Sequence, residues 1–332
     1  MKPKILLIYT GWGDQKHEDV SKRWGGVAYY RMKKMAELLS GEYDFDFYGA
    51  ELGEDMKEND TTDKLFQLMS KKIPQYELVI TKHIDKPFFA NMISFLCQHF
   101  GVKLYVDLDD DLFHVREDQP AYKTYYPQSQ SITTFGAFLS LSDGLIVSTE
   151  ELKRVYAKRL KEVHNVKKPI HILPNFNDKD DWNFENGKSK DDEIVLGWAG
   201  STTHIADLKI ILTPLKKILA QNKNVKLELV GGLYTEQAKE LFKDVDDELF
   251  HRISIRGGTS SWDGYPKLLM GLKWDIGLAP LIDDQFNRGK SHIKWMEYSM
   301  KKIPTIASRV YPYIQPVLGK KTIQQGKTGF LS

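Results

Sequence analysis

Between Phe286 and Ser308 the chain reads FNRGKSHIKWMEYSMKKIPTIAS, a run that sets polar donors, one carboxylate and a short apolar strand in order. Asn287, Arg288, Gly289, Lys290 and Ser291 precede a helical pattern. At such a point unpaired backbone N–H groups and the positive end of the helix dipole attract phosphate. Lys290, Lys294 and Glu297 fall near one helix edge, and Ile293, Met296 and Met300 form an apolar stripe on which the helix is expected to anchor. After the basic pair Lys301 and Lys302, Pro304 to Ala307 reads as a strand. Loop, helix and strand in that order suit a nucleotide diphosphate at the ligand edge of an α/β sheet.

Three further motifs carry candidate chemistry. GWAGSTTH, from Gly197 to His204, ends a strand with small residues and hydroxyls, so that Gly200, Ser201 and Thr202 could bring backbone N–H groups close to a diphosphate or simply make a tight turn. RWGGVAYYRMKKMAEL, from Arg23 to Leu38, sets Gly25 and Gly26 at a helix start, after the polar insertion GWGDQKHEDVSK. Of Tyr30 and Arg31, helix geometry suggests that one is buried and the other reaches a ligand. DLDDDLFH, from Asp107 to His114, gathers four carboxylates after a strand. These could chelate Mg²⁺ or Mn²⁺, or cap a helix and face solvent.

The elements that must position these groups alternate. Apolar strand runs occur at KILLIY near the start, FDFY (45–48), LVIT (78–81), KLYVDL (103–108) and GLIVS (144–148), with helical periodicity at Val27 to Leu39 and Phe88 to His99. The polar tract Asn175 to Asp192 breaks the pattern and reads as a linker. A second series follows: IVLGWAG (194–200), KLELVGG (226–232), RISIRG (252–257), DIGLAP (275–280) and PTIAS. This predicts an α/β protein with two Rossmann-like domains, 1–174 and 193–332, joined by 175–192.

At 332 residues and 41% hydrophobic content, two cores of ordinary domain size are expected. A net charge of +2 argues against a nucleic-acid partner. The lone Cys97 excludes an internal disulfide and fits a reducing cytosol. The apolar run ILLIY near the start is too short for a signal peptide core or a membrane span. ELKRVYAKRLKEVHNVKK, Glu151 to Lys168, is a basic amphipathic helix pattern, fit either for a solvated face or for peripheral contact with anionic lipid.

GLAPLIDDQ (277–285), the Phe286 to Ser308 run and GKTGFLS (326–332) together resemble the donor-binding region of the retaining GT-B glycosyltransferases of the "glycosyl transferases group 1" family. The resemblance implies two domains facing across a cleft and transfer of a sugar from a nucleotide-diphosphate sugar to a hydroxyl acceptor. It places Glu297 on the ribose hydroxyls, a role suited to a carboxylate that accepts two protons. Many members carry a second Glu eight positions earlier, where this chain has Gly289, so the resemblance leaves Arg288 and Lys290 to act on the pyrophosphate, supported by Ser291 and Lys294. It assigns Gly200, Ser201 and Thr202 to the donor phosphates, Gly25 and Gly26 to the loop that closes on the ligands, Asp109 or Asp110 to the transferred sugar or acceptor, and Asn175 to the domain hinge. It implies no essential metal and no cofactor other than the donor substrate. Members commonly continue past the point where this chain stops, so a short or shortened C-terminal domain and a loose hinge are expected.

The function expected is therefore sugar transfer onto a glycan or lipid-linked acceptor in bacterial surface glycan synthesis, in the cytoplasm or at the inner face of the membrane. Three alternatives stand beside it: a noncatalytic glycosyltransferase-like binding subunit, a GT-B sugar-nucleotide epimerase and a phage-type DNA glucosylating enzyme.

Overall fold

The computed structural model describes residues 2–9, 25–49, 62–190, 192–232, 235–259, 264–317, 320–324, 326 and 329–332. The insertion GWGDQKHEDVSK and Arg23 lie outside the described residues. Contacts divide the chain into two units, Met1–Asn175 and Phe176–Ser332.

The first unit holds a six-stranded sheet of β1 (Lys4–Ile8), β2 (Asp44–Tyr48), β3 (Leu78–Thr81), β4 (Lys103–Leu108), β5 (Gly144–Val147) and β6 (Ile170–Ile172), in the order β2-β1-β3-β4-β5-β6. Every pairing is parallel, which requires helical crossovers and buries the central strands. The helix Pro87–Phe100 begins with Pro at its first turn and ends at Gly101, whose φ of 68° allows the left-handed cap. The helix Glu150–His164 is capped by Thr149, whose Oγ1 accepts from Leu152 N at 3.1 Å. The expected first helix runs from Gly26 to Leu39 with a π-helical turn at Tyr29–Lys33.

That turn directs both Tyr30 and Arg31 inward, where one of the two was expected to reach a ligand. Arg31 meets Asp107 of β4 through two bonds of 2.6 Å and also donates to Leu173 O and Asn175 Oδ1, each at 2.8 Å. One buried guanidinium thus ties the first helix, the central sheet and the last residues of the unit.

The second unit holds β7 (Ile194–Gly200), β8 (Val225–Gly231), β9 (Ile253–Gly257), β10 (Ile276–Ala279), β11 (Thr305–Ala307) and the terminal Phe330–Leu331, ordered Phe330–Leu331, β11, β10, β7, β8, β9 and again parallel. The order reverses at the β7/β10 boundary. One face buries Leu196, Trp198, Leu227, Leu229 and Leu278 against Leu208, Leu215, Leu219 and Phe242. The other face uses glycine as a slot: Gly197 and Gly277 are register partners, and a Cβ would come within 1.8 Å of Trp274 at the first and 2.3 Å of Tyr298 at the second. The two rings meet edge to face at 5.8 Å, and Trp274 Nε1 donates to Glu228 at 2.7 Å.

Part of the polar tract expected as a linker packs onto this unit. Trp182 is buried with its ring edge-on to Tyr265 at 6.3 Å, and Gly187 N donates to Met270 O at 2.8 Å. Lys301, of the basic pair that ends the helix, is fully buried and donates to Asn186 Oδ1 at 2.7 Å, Met270 O at 2.9 Å and Leu272 O at 2.5 Å. Its ammonium closes the carboxyl end of the helix Gly264–Gly271, with burial lowering its pKa to about 8. No helix among the described residues is long and apolar enough to cross a membrane.

Candidate functional site

At the carboxyl ends of β7, β8 and β9 the loops part around a cleft of about 480 Å³ lined by Gly200, Ser201, His204, Gly231, Gly232, Gly258, Thr259, Tyr265, Ile293, Lys294 and Glu297, among others. Crevices of this kind form beside the point where strand order reverses in a parallel sheet. Backbone makes much of the wall. Gly231 has φ +123°, and a Cβ there would lie 2.1 Å from Gly200 O, so β7 and β8 can close side by side only with glycine. A Cβ on Gly232 would come within 2.7 Å of Thr202 N.

The helix Ile293–Met300 brings charge to this wall, but its anchor differs from the expected apolar stripe. Ile293, Met296 and Met300 are half-buried, whereas Glu297 and Tyr298 are buried. Tyr298 fills the glycine slot and its hydroxyl receives Ala199 N at 3.3 Å and donates to Leu278 O at 3.1 Å. Rotating the helix on Tyr298 sets Glu297 at the cleft, where Tyr265 Oη donates to Glu297 Oε2 at 2.9 Å. Burial raises the Glu297 carboxyl to about 7 in spite of Lys294 and the Tyr265 bond, both of which favour its ionised form. Lys294 donates to Ala199 O with its Nζ 5.8 Å from the Trp198 ring centre, and burial lowers its pKa to about 8.

A second group stands behind the loop after β7. His204 Nδ1 lies 2.9 Å from Asp207 Oδ2, and Asp207 Oδ1 accepts from Ile282 N and Asn287 Nδ2, both at 3.0 Å. Asp207 and Asn287 are fully buried. Burial opposes ionisation of Asp207, but the bonds from His204 and Ile282 hold its carboxyl low. Burial, then Lys290 and Lys294, push His204 the other way, away from the charged form.

The structure therefore gathers Gly200, Ser201, Lys294 and Glu297 at one cleft, with Thr202 packed against Gly232. Lys290 lies near enough to act on His204 and Lys294, its Nζ 4.9 Å from the Phe286 ring centre. Ser291 is half-buried just before the helix. Arg288 is exposed and forms two bonds with Asp283, at 2.8 and 3.1 Å. Tyr265, Asp207 and His204 join the site without a role in the sequence motifs. His204 and Asp207 carried a readable signal, a His and an Asp three residues apart on one helical turn. Tyr265 carried none, since it reaches Glu297 across 32 residues.

In the first unit the acid cluster is divided among separate partners. Asp107 serves Arg31, Asp109 accepts from Lys82 Nζ at 2.5 Å, and Asp111 caps Phe113 N at 3.2 Å while meeting His114 Nδ1 at 2.8 Å. Asp110 is half-buried and its carbonyl accepts from Tyr156 Oη at 2.7 Å. Gly25 is buried at the helix start; Gly26 is exposed, and a Cβ there would meet nothing within 4 Å.

No family model and no curated protein matches the chain. Solved structures do match. The lipopolysaccharide outer core galactosyltransferase WaaB in its apo form superposes with a TM-score of 0.54 at 13% identity, over 98% of this chain and 87% of that one. An α-glucosyltransferase solved with UDP-glucose and DNA gives 0.55 at 8% identity, over 94% and 81%. An S. aureus TarM variant solved with UDP gives 0.52 at 14% identity, over 80% and 49%. The fold is GT-B. The chain spans about half the length of TarM and of the GtfA/B complex chain, of which it covers 49% and 48%. The likeness to WaaB and to the α-glucosyltransferase, over 98% and 94% of this chain, takes in both six-stranded units.

Proposed function

We propose that the protein is a glycosyltransferase that binds a nucleotide-diphosphate sugar in the cleft of its second unit and passes the sugar to a hydroxyl acceptor, with retention at the anomeric carbon. The observation that carries this reading is the arrangement at Glu297. A carboxylate is held by Tyr265 at one side of a glycine-walled cleft, and Lys294 and His204 line the same cleft. A ribose diol fits the carboxylate, and the diphosphate fits the backbone donors and cations. Lys290 and Arg288 stabilise charge on the departing diphosphate, electrostatic work that requires no nucleophile. Asp109, held by Lys82, and Asp110 position the sugar or acceptor. UDP is named with TarM and UDP-glucose with the α-glucosyltransferase, which supports a nucleotide-sugar donor here. WaaB is named a lipopolysaccharide galactosyltransferase, which supports a role in bacterial surface glycan synthesis on a glycan or lipid-linked acceptor.

The test is a panel of sugar nucleotides with and without glycan and lipid-linked acceptors, followed by nucleotide diphosphate release and by the anomeric configuration of the product. Acceptor-dependent release with retention is expected. Free sugar or an epimerised donor without acceptor would replace this reading with hydrolysis or epimerisation, and salt-sensitive DNA binding with glucosylation of DNA would replace the acceptor class. A second reading, a noncatalytic subunit, draws on Gly289, which is buried and offers no carboxylate where the resembling enzymes contact the sugar. Nucleotide binding without turnover on any acceptor would favour it.

A further inference from the structure

His204, Asp207 and Asn287 form a relay of the kind that orients a working imidazole, and the proposed sugar transfer leaves its purpose unassigned. His204 lines the cleft, while Asp207 and Asn287 are fully buried behind it. Asp207 is fixed from three sides: His204 Nδ1 at 2.9 Å on one oxygen, Ile282 N and Asn287 Nδ2 at 3.0 Å on the other. Asn287 is itself pinned, since its Nδ2 also donates to Ile282 O at 3.0 Å. An ionised Asp207 selects the tautomer with the proton on Nδ1 and leaves Nε2 as the atom that can change state.

The charges facing this ring come from three elements. Asp207 lies on its own helix, Lys290 on the loop before Ile293–Met300, and Lys294 on that helix; Glu297 and Tyr265 line the same cleft. Burial and the two lysines resist a cation at His204 while Asp207 favours one, and an anion bound beside the lysines offsets their resistance.

We propose that His204 is a charge-adapting ligand of the diphosphate: neutral in the free protein, it takes up one proton from solvent as the nucleotide diphosphate binds and donates Nε2–H to a phosphate oxygen. This rests on the reading of the cleft as a nucleotide-diphosphate site. The imidazolium supplies a cation on the loop after β7, a segment with no lysine or arginine before Lys209. Its proton returns to solvent when the diphosphate leaves, so binding and release each carry a proton and no covalent bond to His204 forms.

Two measurements on the full chain test this with UDP, GDP and ADP as probes. Titration calorimetry near neutral pH in buffers of different ionisation enthalpy should show proton uptake of up to about one per nucleotide. His204→Gln should bind about ten-fold or more weakly and lose that uptake. In the wild-type protein labelled at histidine, the His204 ring should pass from the Nδ1–H tautomer to the imidazolium when nucleotide saturates the site. A ring that stays neutral at saturation, or an uptake unchanged in His204→Gln, overturns the proposal while leaving the nucleotide site standing. Absence of binding by any of the three diphosphates removes the site itself, and the proposal with it.

Discussion

Replacing Glu297 by glutamine should make the protein more stable and less able to bind nucleotide, and the size of the first effect follows from burial. The carboxyl is buried and its pKa rises from an ordinary 4.5 to about 7. The folded state therefore holds the proton more tightly than the unfolded chain. The stability gained from protonation is full below the unfolded value and is lost as pH rises through the folded one. The interval from 4.5 to about 7 amounts to roughly 3 kcal/mol at about 1.4 kcal/mol per pK unit, a cost carried whenever Glu297 is ionised. Glutamine keeps the shape, accepts the Tyr265 hydroxyl and has no charge to bury, but its amide group needs a partner of its own, which returns part of the gain. Glu297→Gln should thus be more stable by about 1 to 3 kcal/mol at a pH about one unit above the folded value, and nearly equal to wild type close to the unfolded value. Urea unfolding at the two pH values measures this, and calorimetry with UDP should show at least about ten-fold weaker binding. A pH-independent loss of stability, or an unaltered UDP affinity in the folded variant, would refute the reasoning.

Other perturbations address the scaffold and the cations. Gly197→Ala sets a methyl group within 1.8 Å of the Trp274 ring and should cost about 3 kcal/mol or more, read as a lower urea midpoint; a loss under about 1 kcal/mol would show that Trp274 can move aside. Arg31→Met leaves Asp107 charged and buried and should cost about 3 to 5 kcal/mol, with Arg31→Met/Asp107→Leu recovering most of it; equal losses in the single and double variants would count against the pair. Lys290→Ala should lower single-turnover rate more than donor affinity, with Lys290→Arg restoring part, because charge on the leaving diphosphate grows toward the transition state. Equal losses in rate and affinity would reduce Lys290 to a binding residue.

The strands were legible because parallel strands covered on both faces leave near-continuous apolar runs, as in KILLI, LVIT and IVLGWAG. The segments missed were those without such runs, among them β6, three residues long with His171 at its centre, the two-residue Phe330–Leu331, and the antiparallel pair Pro316–Val317 and Lys320–Lys321. Hydropathy locates the helix Ile293–Met300 but not the face it turns inward. Hydropathy marked Ile293, Met296 and Met300, while Glu297, Tyr298 and the capping Lys301 are the residues turned inward through polar bonds that hydropathy cannot register. The π-turn hid Arg31 in the same way, since a single widened turn shifts the face that a regular period assigns. Gly200, Ser201, Lys294 and Glu297 were readable as parts of one site because each stands at a strand end or the helix that follows; Tyr265 was hidden because its partner is distant in sequence.

The Tyr298 hydroxyl has a mechanical consequence. Pairing between β7 and β10 is recorded at Leu196 with Ile276 and Gly197 with Gly277. Continuing the same parallel ladder would join Ala199 N to Leu278 O, and the phenol sits between those two atoms, accepting from one and donating to the other. Tyr298 acts as a spacer rung: it prises the two strands apart by the width of one oxygen and supplies the bonds that separation would otherwise strand. The spacing of the two strands beside the crevice is then set by the length of one rigid side chain seated on Gly277. The surrounding loops are left free to diverge in composition, and so in the ligands they grip, without altering the span beneath them.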